Sequence, residues 1–176
     1  MKKIVIITGT PTKPSRLHGV VSYVSQQIHQ QGVKVHHIDV VDIPAKDLLH
    51  ANWNSEVIKS ANRQIADANA VIIATPIYKA SYTGILKAFL DLIPEKGLEN
   101  KVLFPIVMGG TKAHLLMMEY ALKPVLSVLG ANYIEAGVFI HDSEARWTED
   151  GKVTIDSEVN TRLTASVEKL CKMIMK

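Results

Sequence analysis

The sequence predicts an α/β protein in which helices cover both faces of a parallel sheet of five strands. Most of the predicted strands are continuously apolar and rich in β-branched residues, as expected for strands buried on both faces. Segments with helical spacing separate these runs, so a crossover helix connects each strand to the next. Right-handed crossovers of this kind produce a doubly wound sandwich of three layers.

The first predicted strand covers residues 2–9, where Ile4 to Ile7 are apolar and Gly9 ends the run. Three further runs of the same kind occupy residues 70–76, 102–109 and 133–140. Residues 33–39 alternate partly and contain the adjacent His36 and His37, which predicts a more exposed strand at the sheet edge. Five strands with this spacing fit the order 2-1-3-4-5, so we predict a flavodoxin-like three-layer sandwich.

Helices are predicted wherever apolar residues recur at helical spacing or cap signals bound a segment. These segments are residues 20–31, 54–69, 83–93, 113–129 and 156–175. Gly32 and Gly130 follow two of them as C-terminal stop signals, and Thr83 precedes another as a candidate N-cap. The polar and aromatic stretch from Asp142 to Lys152 is predicted to form a surface loop.

Length and composition predict one globular domain, residues 1–176, with 47% hydrophobic residues and a net charge of +3. No basic block of the kind found in nucleic-acid-binding proteins is present, and no segment reaches the roughly 18 apolar residues of a membrane span. Cys171 is the only cysteine, so no internal disulfide is possible, and no His/Cys set has metal-ligand spacing. We therefore expect a cytoplasmic protein without metal, nucleic-acid or membrane partners.

The loop after the first strand, residues 8–16, is rich in hydroxyls and leads into a helix N-terminus. Backbone N–H groups and the helix dipole favour a phosphate there, and the cations Lys13 and Arg16 lie in the same segment. The loop lacks both the Walker pattern and the dinucleotide fingerprint. The same residues also suit a polar turn in which Ser15 caps the following helix. The spacing alone favours neither the phosphate site nor this structural turn.

Two more loops follow strands that end at the same sheet edge. In residues 75–84, Pro76 stiffens the turn, Tyr78 suits a planar ligand, and Lys79 suits a phosphate or an anionic ring. In residues 108–114, Gly109 and Gly110 permit close approach of a ligand to the backbone. A tyrosine-bearing turn that caps the next helix is the structural alternative for the first of these loops.

Thr111 suits an N-cap role, and His114 lies in the first turn of the following predicted helix. An imidazole transfers protons near neutral pH, so His114 is a candidate for direct chemistry as well as for a structural role. Pro124 lies well inside the same helix, where it removes the N–H that would bond the carbonyl of Tyr120. We predict a kink or a single π-type turn at Tyr120, and such turns are frequent at functional sites.

The long predicted helix carries more apolar residues than one sheet face should cover. They are Leu115, Leu116, Met118, Leu122 and Leu126. Part of this surface is therefore expected to bury a neighbouring subunit.

Several of these segments together resemble the NAD(P)H-dependent FMN reductase family, and within it the flavin reductase components of two-component alkanesulfonate monooxygenase systems. The segments that carry the resemblance are Gly9-Thr10-Pro11, Pro14-Ser15-Arg16, residues 74–87, Gly109-Gly110-Thr111, and residues 114–126 with Tyr120 and Pro124. The resemblance covers nearly the whole chain up to the C-terminal helix.

The resemblance implies a role for each matching position. Thr10, Ser15 and Arg16 would hold the FMN phosphate, while Thr12 stands where the family commonly has an arginine. The isoalloxazine ring would lie against Pro76, Ile77 and Tyr78. Its pyrimidine edge would face Gly109, Gly110 and Thr111. Tyr120 would lie on the widened helix turn at a tetramer interface near the flavins.

The activity implied is hydride transfer to FMN from NADPH, with NADH as the alternative donor, and reduced FMN passes to a partner monooxygenase that uses organosulfur compounds. The cofactor carries this chemistry, so no protein acid or base is strictly required. One alternative on the same fold is a quinone or azo reductase that retains FMN. An alternative of another class is an electron carrier of the flavodoxin type, although such carriers are usually strongly acidic.

Overall fold

The computed structural model describes all 176 residues, and a parallel sheet forms its middle layer. The strands are β1 (Lys3–Thr8), β2 (Lys34–Asp39), β3 (Ala70–Pro76), β4 (Val102–Gly109), β5 (Tyr133–Ile134), β6 (Val138–His141), β7 (Ala145–Trp147) and β8 (Val153–Ile155). The sheet order is β2-β1-β3-β4-β5, with β6 also pairing with β4, and all of these pairings are parallel. The predicted order 2-1-3-4-5 and the edge position of β2 are confirmed.

Helices cover both faces of this sheet. They are α1 (Arg16–Gln30), α2 (Ala45–Leu49), α3 (Glu56–Ala66), α4 (Gly84–Leu90), α5 (Lys123–Val128) and α6 (Ser157–Met175). Successive strand residues point to opposite faces, so β1 divides its side chains between two cores. Ile4 and Ile6 pack with α1 and α6, whereas Val5 and Ile7 pack with α3, α4 and α5.

The predicted fifth strand is interrupted, which corrects the continuous strand expected over residues 133–140. Its first part pairs with Val102 and Leu103 and its second part with Ile106 to Gly109 of β4. Gly137 lies between them at φ +82°, and a Cβ there would be 2.8 Å from the Pro105 carbonyl oxygen. The break therefore needs glycine because the backbones approach closely.

The predicted long helix over residues 113–129 is not continuous. It consists of a 3₁₀ turn at Lys112–His114, a π-helical segment at Met118–Leu122, and α5. The N–H of Lys123 donates to the carbonyl of Met118, five residues earlier, which confirms the predicted π-type turn around Tyr120. Proline at position 124 offers no N–H to the Tyr120 carbonyl, so the α-helical bonding pattern cannot pass through this point.

Two further expectations require correction. Met118, Leu122 and Leu126 belong to the buried core, so only Leu115 and Leu116 of the predicted apolar excess are exposed. The stretch Asp142–Lys152, predicted as a loop, begins with a 3₁₀ turn and contributes to an antiparallel hairpin of β7 and β8. No helix in the structure combines the length and apolar character needed to cross a bilayer.

Candidate functional site

The carboxyl ends of β1, β3 and β4 open into a cleft of about 310 Å³. It is lined by Thr10, Thr12, Pro14, Ser15, Arg16, Leu17, Pro76, Ile77, Tyr78, Met108, Gly109, Asp142 and Trp147. The strand order reverses between β1 and β3, which is where ligands bind in open parallel sheets. The three loops selected from the sequence therefore meet in one place.

The first wall of the cleft is the N-terminus of α1. Ser15 is its N-cap, and its hydroxyl accepts the backbone N–H of His18 at 3.3 Å. The N–H groups at the start of a helix have no partner within the helix, and its dipole places partial positive charge there. The hydroxyls of buried Thr10 and exposed Thr12 line the cleft beside it. This end has the donors and the polarity that a phosphate requires.

The two cations of the first loop have different surroundings. The Nη2 of Arg16 lies 3.1 Å from Asp142 Oδ1, and Nη1 donates to the carbonyls of Asp142 and Ala145. The Nζ of Lys13 lies 2.6 Å from Asp39 and 2.5 Å from Asp42, outside the cleft lining. The hydrogen bonds that Lys13 donates to both carboxylates raise its pKa. Arg16 is thus the cation at the cleft, and it already has an anionic partner.

The second wall is the turn after β3. The N–H of Ile77 donates to the Met108 carbonyl at 2.8 Å, which fixes this turn to β4. Tyr78 and Ser81 exchange backbone hydrogen bonds around Lys79 and Ala80, whose φ angles are +50° and +60°. Such two-residue turns favour Asn and Gly, so Lys79-Ala80 is a strained choice at the rim. Lys79 is exposed and does not line the cleft.

The third wall is the end of β4. A Cβ on Gly109 would lie 3.1 Å from Ile77 Cδ1, so the glycine lets the second and third walls touch. Gly110 and Thr111 do not line the cleft, although no backbone hydrogen bond within the chain uses their N–H groups. The Thr111 hydroxyl instead accepts the N–H of Ala113 at 3.3 Å, which makes Thr111 the predicted N-cap.

Buried threonines hold the floor of the site together. The Thr83 hydroxyl donates to the Gly9 carbonyl and accepts the N–H of Leu86, so it joins the first loop to the start of α4. The Thr83 N–H also lies 3.4 Å from the Thr75 hydroxyl. The predicted cap at Thr83 is present, and its link to Gly9 could not be seen from the sequence because the two residues are far apart along the chain.

His114 and Tyr120 lie away from this cleft within one chain. His114 is half-buried in the 3₁₀ turn, and Tyr120 is 79% exposed on the π-helical segment. Neither residue lines the cleft. Asp142 and Trp147 were not among the predicted site residues, and they reach the cleft from the 3₁₀ turn and the hairpin that follow β6. Their only sequence signal was a polar and aromatic stretch following a predicted strand.

Comparison with known proteins identifies the family. The sequence model described as NADPH-dependent FMN reductase matches residues 2–145. The chain belongs to the NADPH-dependent FMN reductase family. Membership confirms the predicted enzyme class, an NAD(P)H:FMN oxidoreductase, and the predicted cofactors FMN and NAD(P)H.

Individual members of this family are similar over most of the chain. An FMN reductase (NADPH) of Escherichia coli strain K12 is 42% identical over 142 residues, which is 81% of this chain and 74% of the relative. The NADH-dependent FMN reductase SfnE of Pseudomonas putida is 28% identical over 148 residues, 80% of this chain and 77% of that protein. The apo structure of the NADH:FMN oxidoreductase EMOB superposes with a TM-score of 0.88 at 31% identity, covering 98% of this chain and 90% of that one.

The cleft residues fit the FMN expected in this family. A phosphate needs several donors, and the start of α1 supplies backbone N–H groups with the hydroxyls of Thr10 and Ser15. A flat ring needs a wall without bulky protrusions, and Gly109 provides one beside Ile77. Next along the chain, the N–H groups of Gly110 and Thr111 make no backbone hydrogen bond, so they are free to donate to a polar group.

Proposed function

We propose that this chain uses NADPH to reduce FMN and releases reduced FMN to a partner monooxygenase that oxidises organosulfur compounds such as alkanesulfonates. The observation that carries the proposal is the cleft itself, which combines a helix N-terminus with a glycine-lined wall in a chain of the FMN reductase family. The resemblance of its loop segments to flavin reductase components of two-component systems supports the choice of partner. We further propose that the enzyme works in the cytoplasm.

The phosphate end of FMN is proposed to bind at the first loop. The hydroxyls of Thr10, Thr12 and Ser15 and the first N–H groups of α1 are the donors, with Arg16 as the cation. The Arg16–Asp142 ion pair lowers the net positive charge available to the phosphate. The family arginine is replaced by Thr12, and Lys13 is held by Asp39 and Asp42. These features favour modest FMN affinity, as release of the product requires.

The ring end is proposed to lie against Pro76, Ile77 and Tyr78. Half of the Tyr78 side chain is exposed, so it is free to cover one face of a planar ligand. Lys79, at the tip of the same turn, is proposed to meet negative charge on the reduced ring from the solvent side. The N–H groups of Gly110 and Thr111 are proposed to donate to its pyrimidine edge.

When bound, FMN supplies the ring that accepts a hydride equivalent from the reduced nicotinamide. The chain contributes orientation, because its turns after β3 and β4 are fixed to each other by the Ile77–Met108 hydrogen bond. It contributes donors at the edge where negative charge develops, and this stabilises the product. We propose that the reduced nicotinamide stacks on the solvent side of the ring in a near-attack arrangement.

We propose that the protein assembles as a homotetramer through the 113–129 segment. Several large apolar side chains on this segment face solvent in the single chain, namely Leu115, Leu116, Tyr120 and Val128. Exposed apolar surface of this kind is typical of a protein interface. We propose that this contact brings Tyr120 and His114 towards the flavin site of a neighbouring protomer, where they contribute to turnover.

The direct test measures NADPH and NADH oxidation by the purified protein with added FMN, with riboflavin and with no flavin. We expect turnover that depends on added FMN, with free reduced FMN as the product. No FMN-dependent oxidation of either nucleotide would refute the proposed reduction. FMN that stays bound through gel filtration, together with ping-pong kinetics on quinones or azo dyes, would instead favour the FMN-retaining reductase.

A further inference from the structure

His18 lies between the Ser15 hydroxyl and the carboxylate of Asp39. Its Nδ1 is 2.9 Å from Ser15 Oγ, and its Nε2 is 3.4 Å from Asp39 Oδ1. The ring is largely buried, with 19% of the side chain exposed. Neither His18 Nε2 nor Asp39 Oδ1 makes a hydrogen bond of normal geometry, so at 3.4 Å the imidazole nitrogen faces the carboxylate as a charge contact. The imidazole therefore connects one residue of the cleft to a carboxylate outside it.

Asp39 is held in its charged form. Burial opposes ionisation, but the hydrogen bond and charge of Lys13 outweigh it and lower the pKa of Asp39. The Nζ of Lys13 is 2.6 Å from Asp39 Oδ2, on the other oxygen of the carboxylate. A negative charge consequently faces the Nε2 side of the His18 ring.

This charge selects the tautomer of a neutral His18. A lone pair on Nε2 would face a carboxylate, so the proton resides on Nε2 and Nδ1 becomes an acceptor. The Ser15 O–H must then donate to Nδ1, while its oxygen accepts the backbone N–H of His18. In this arrangement the Ser15 hydroxyl has no proton left to donate into the cleft. It therefore cannot bind a phosphate oxygen, because that oxygen only accepts hydrogen bonds.

A protonated ring reverses the arrangement. Both nitrogens are then donors, so Nδ1–H donates to Ser15 Oγ and the hydroxyl proton is free to point into the cleft. The positive charge of the ring, next to Ser15, also favours an anion there. The other titratable groups around the ring are Lys13 and Asp42 in the neighbouring loops, His37 on β2, and Tyr23 and Lys152, which line the groove shared with His18.

We propose that His18 is a positioning residue that sets the direction of the Ser15 hydroxyl, and that FMN binding through its phosphate is coupled to proton uptake at His18. The proposal rests on the proposed function, because it takes Ser15 as part of the phosphate site. It concerns the phosphate alone, so riboflavin, which lacks that group, is an internal reference.

The experiment measures the dissociation constants of FMN and riboflavin by fluorescence quenching at intervals from about pH 8 to about pH 5.5, the range in which imidazoles titrate. We expect the preference of the wild-type protein for FMN over riboflavin to rise about tenfold as the pH falls, equivalent to about 1.4 kcal/mol. The FMN phosphate itself loses charge in this range, which alone would weaken its binding. His18→Asn should therefore show a flat or opposite profile, and His18→Gln repeats the test if that variant does not fold.

Two variants serve as controls. His29→Asn alters an exposed histidine near the C-terminal end of the same helix and should keep the wild-type profile. Ser15→Ala keeps the ring but removes the hydroxyl, and it should lose most of the pH dependence. Parallel profiles for the wild type and His18→Asn would overturn the role of His18 alone. Full pH dependence in Ser15→Ala would show that the ring acts only by its charge, which also overturns positioning. A wild-type protein that binds neither flavin would overturn the proposed function as well.

Discussion

The guanidinium of Arg16 and the carboxylate of Asp142 form an ion pair across the cleft, with 3.1 Å between Arg16 Nη2 and Asp142 Oδ1. Arg16 begins α1, whereas Asp142 follows β6, so the pair joins the first and last loops at this sheet edge. The same guanidinium donates to the carbonyls of Asp142 and Ala145, which fixes the start of the β7–β8 hairpin. Any anion at the start of α1 must therefore compete with Asp142 for Arg16.

Removing this competing charge is expected to strengthen phosphate binding. Asp142→Asn keeps the backbone carbonyl that Arg16 also binds but frees the charge of the guanidinium. A charge-assisted bond contributes about 1.5–3 kcal/mol, so we expect FMN to bind about tenfold more tightly. Riboflavin affinity should not change. Calorimetric titration of both flavins checks this, and weaker FMN binding would show that Asp142 supports the site.

The close approach of Gly109 to Ile77 predicts a large effect from one methyl group. In Gly109→Ala the new Cβ would lie 3.1–3.4 Å from three atoms of Ile77, a residue of the cleft lining that must then shift by a few tenths of an ångström. We expect about tenfold weaker flavin binding and a loss of about 1 kcal/mol in the free energy of unfolding. Gly84→Ala is the matched control, because no atom lies within 4 Å of its Cβ. Equal effects of the two substitutions on flavin affinity would contradict this account.

The left-handed turn after Tyr78 should become more stable when glycine replaces Ala80. Ala80 has φ +60°, which costs a residue with a Cβ about 1–2 kcal/mol. Ala80→Gly relieves this strain, and the larger entropy of glycine in the unfolded chain offsets part of the gain, so we expect up to about 1 kcal/mol of stabilisation. Gly32→Ala is the reverse test, because Gly32 has φ +74° and open space around it. It should lose about 1 kcal/mol in urea denaturation. A destabilised Ala80→Gly together with a stabilised Gly32→Ala would show that neither turn is strained.

The exposed tyrosine on the π-helical segment should matter for assembly and not for folding of the single chain. Tyr120 is 79% exposed, so Tyr120→Ala removes little buried surface from one chain. If the proposed tetramer forms through this segment, the variant should dissociate at protein concentrations where the wild type stays assembled. Analytical ultracentrifugation measures this, with Met175→Ala on α6 as an exposed control. An unchanged oligomeric state would show that Tyr120 is not part of the interface.

The partly buried environment of Asp39 predicts a specific acid sensitivity. Lys13 lowers the pKa of Asp39 in the folded chain despite burial, so the carboxylate stabilises the fold above the ordinary aspartate range of about pH 4. This contribution is lost as the pH falls through the lowered pKa. Asp39→Asn should therefore be less stable near neutral pH and lose less stability between about pH 4 and about pH 2. Asp67 forms an exposed ion pair with Lys3, so Asp67→Asn should keep the wild-type dependence of the free energy of unfolding on pH.

Local patterns were enough to predict most of the elements. The apolar runs around Ile4 and Val71 marked β1 and β3, and Ser15, Thr83 and Thr111 all serve as helix or 3₁₀ caps. Pro124 alone was enough to predict a kink or a π-type turn at Tyr120, because the missing N–H is a local property, and the structure shows that the π-type turn forms. The break between β5 and β6 was not predicted, since it depends on how closely Gly137 approaches Pro105.

The sequence by itself determined the strand order, the family and the three loops that meet at the cleft. The apolar runs of buried parallel strands and the residue types of these loops all occur within short continuous segments. Tertiary structure alone decided which charges face one another. Arg16 lies far along the chain from Asp142, as do His18 and Lys13 from Asp39. Charge pairing depends on distances of a few ångströms between side chains from different elements, and no local pattern encodes those distances.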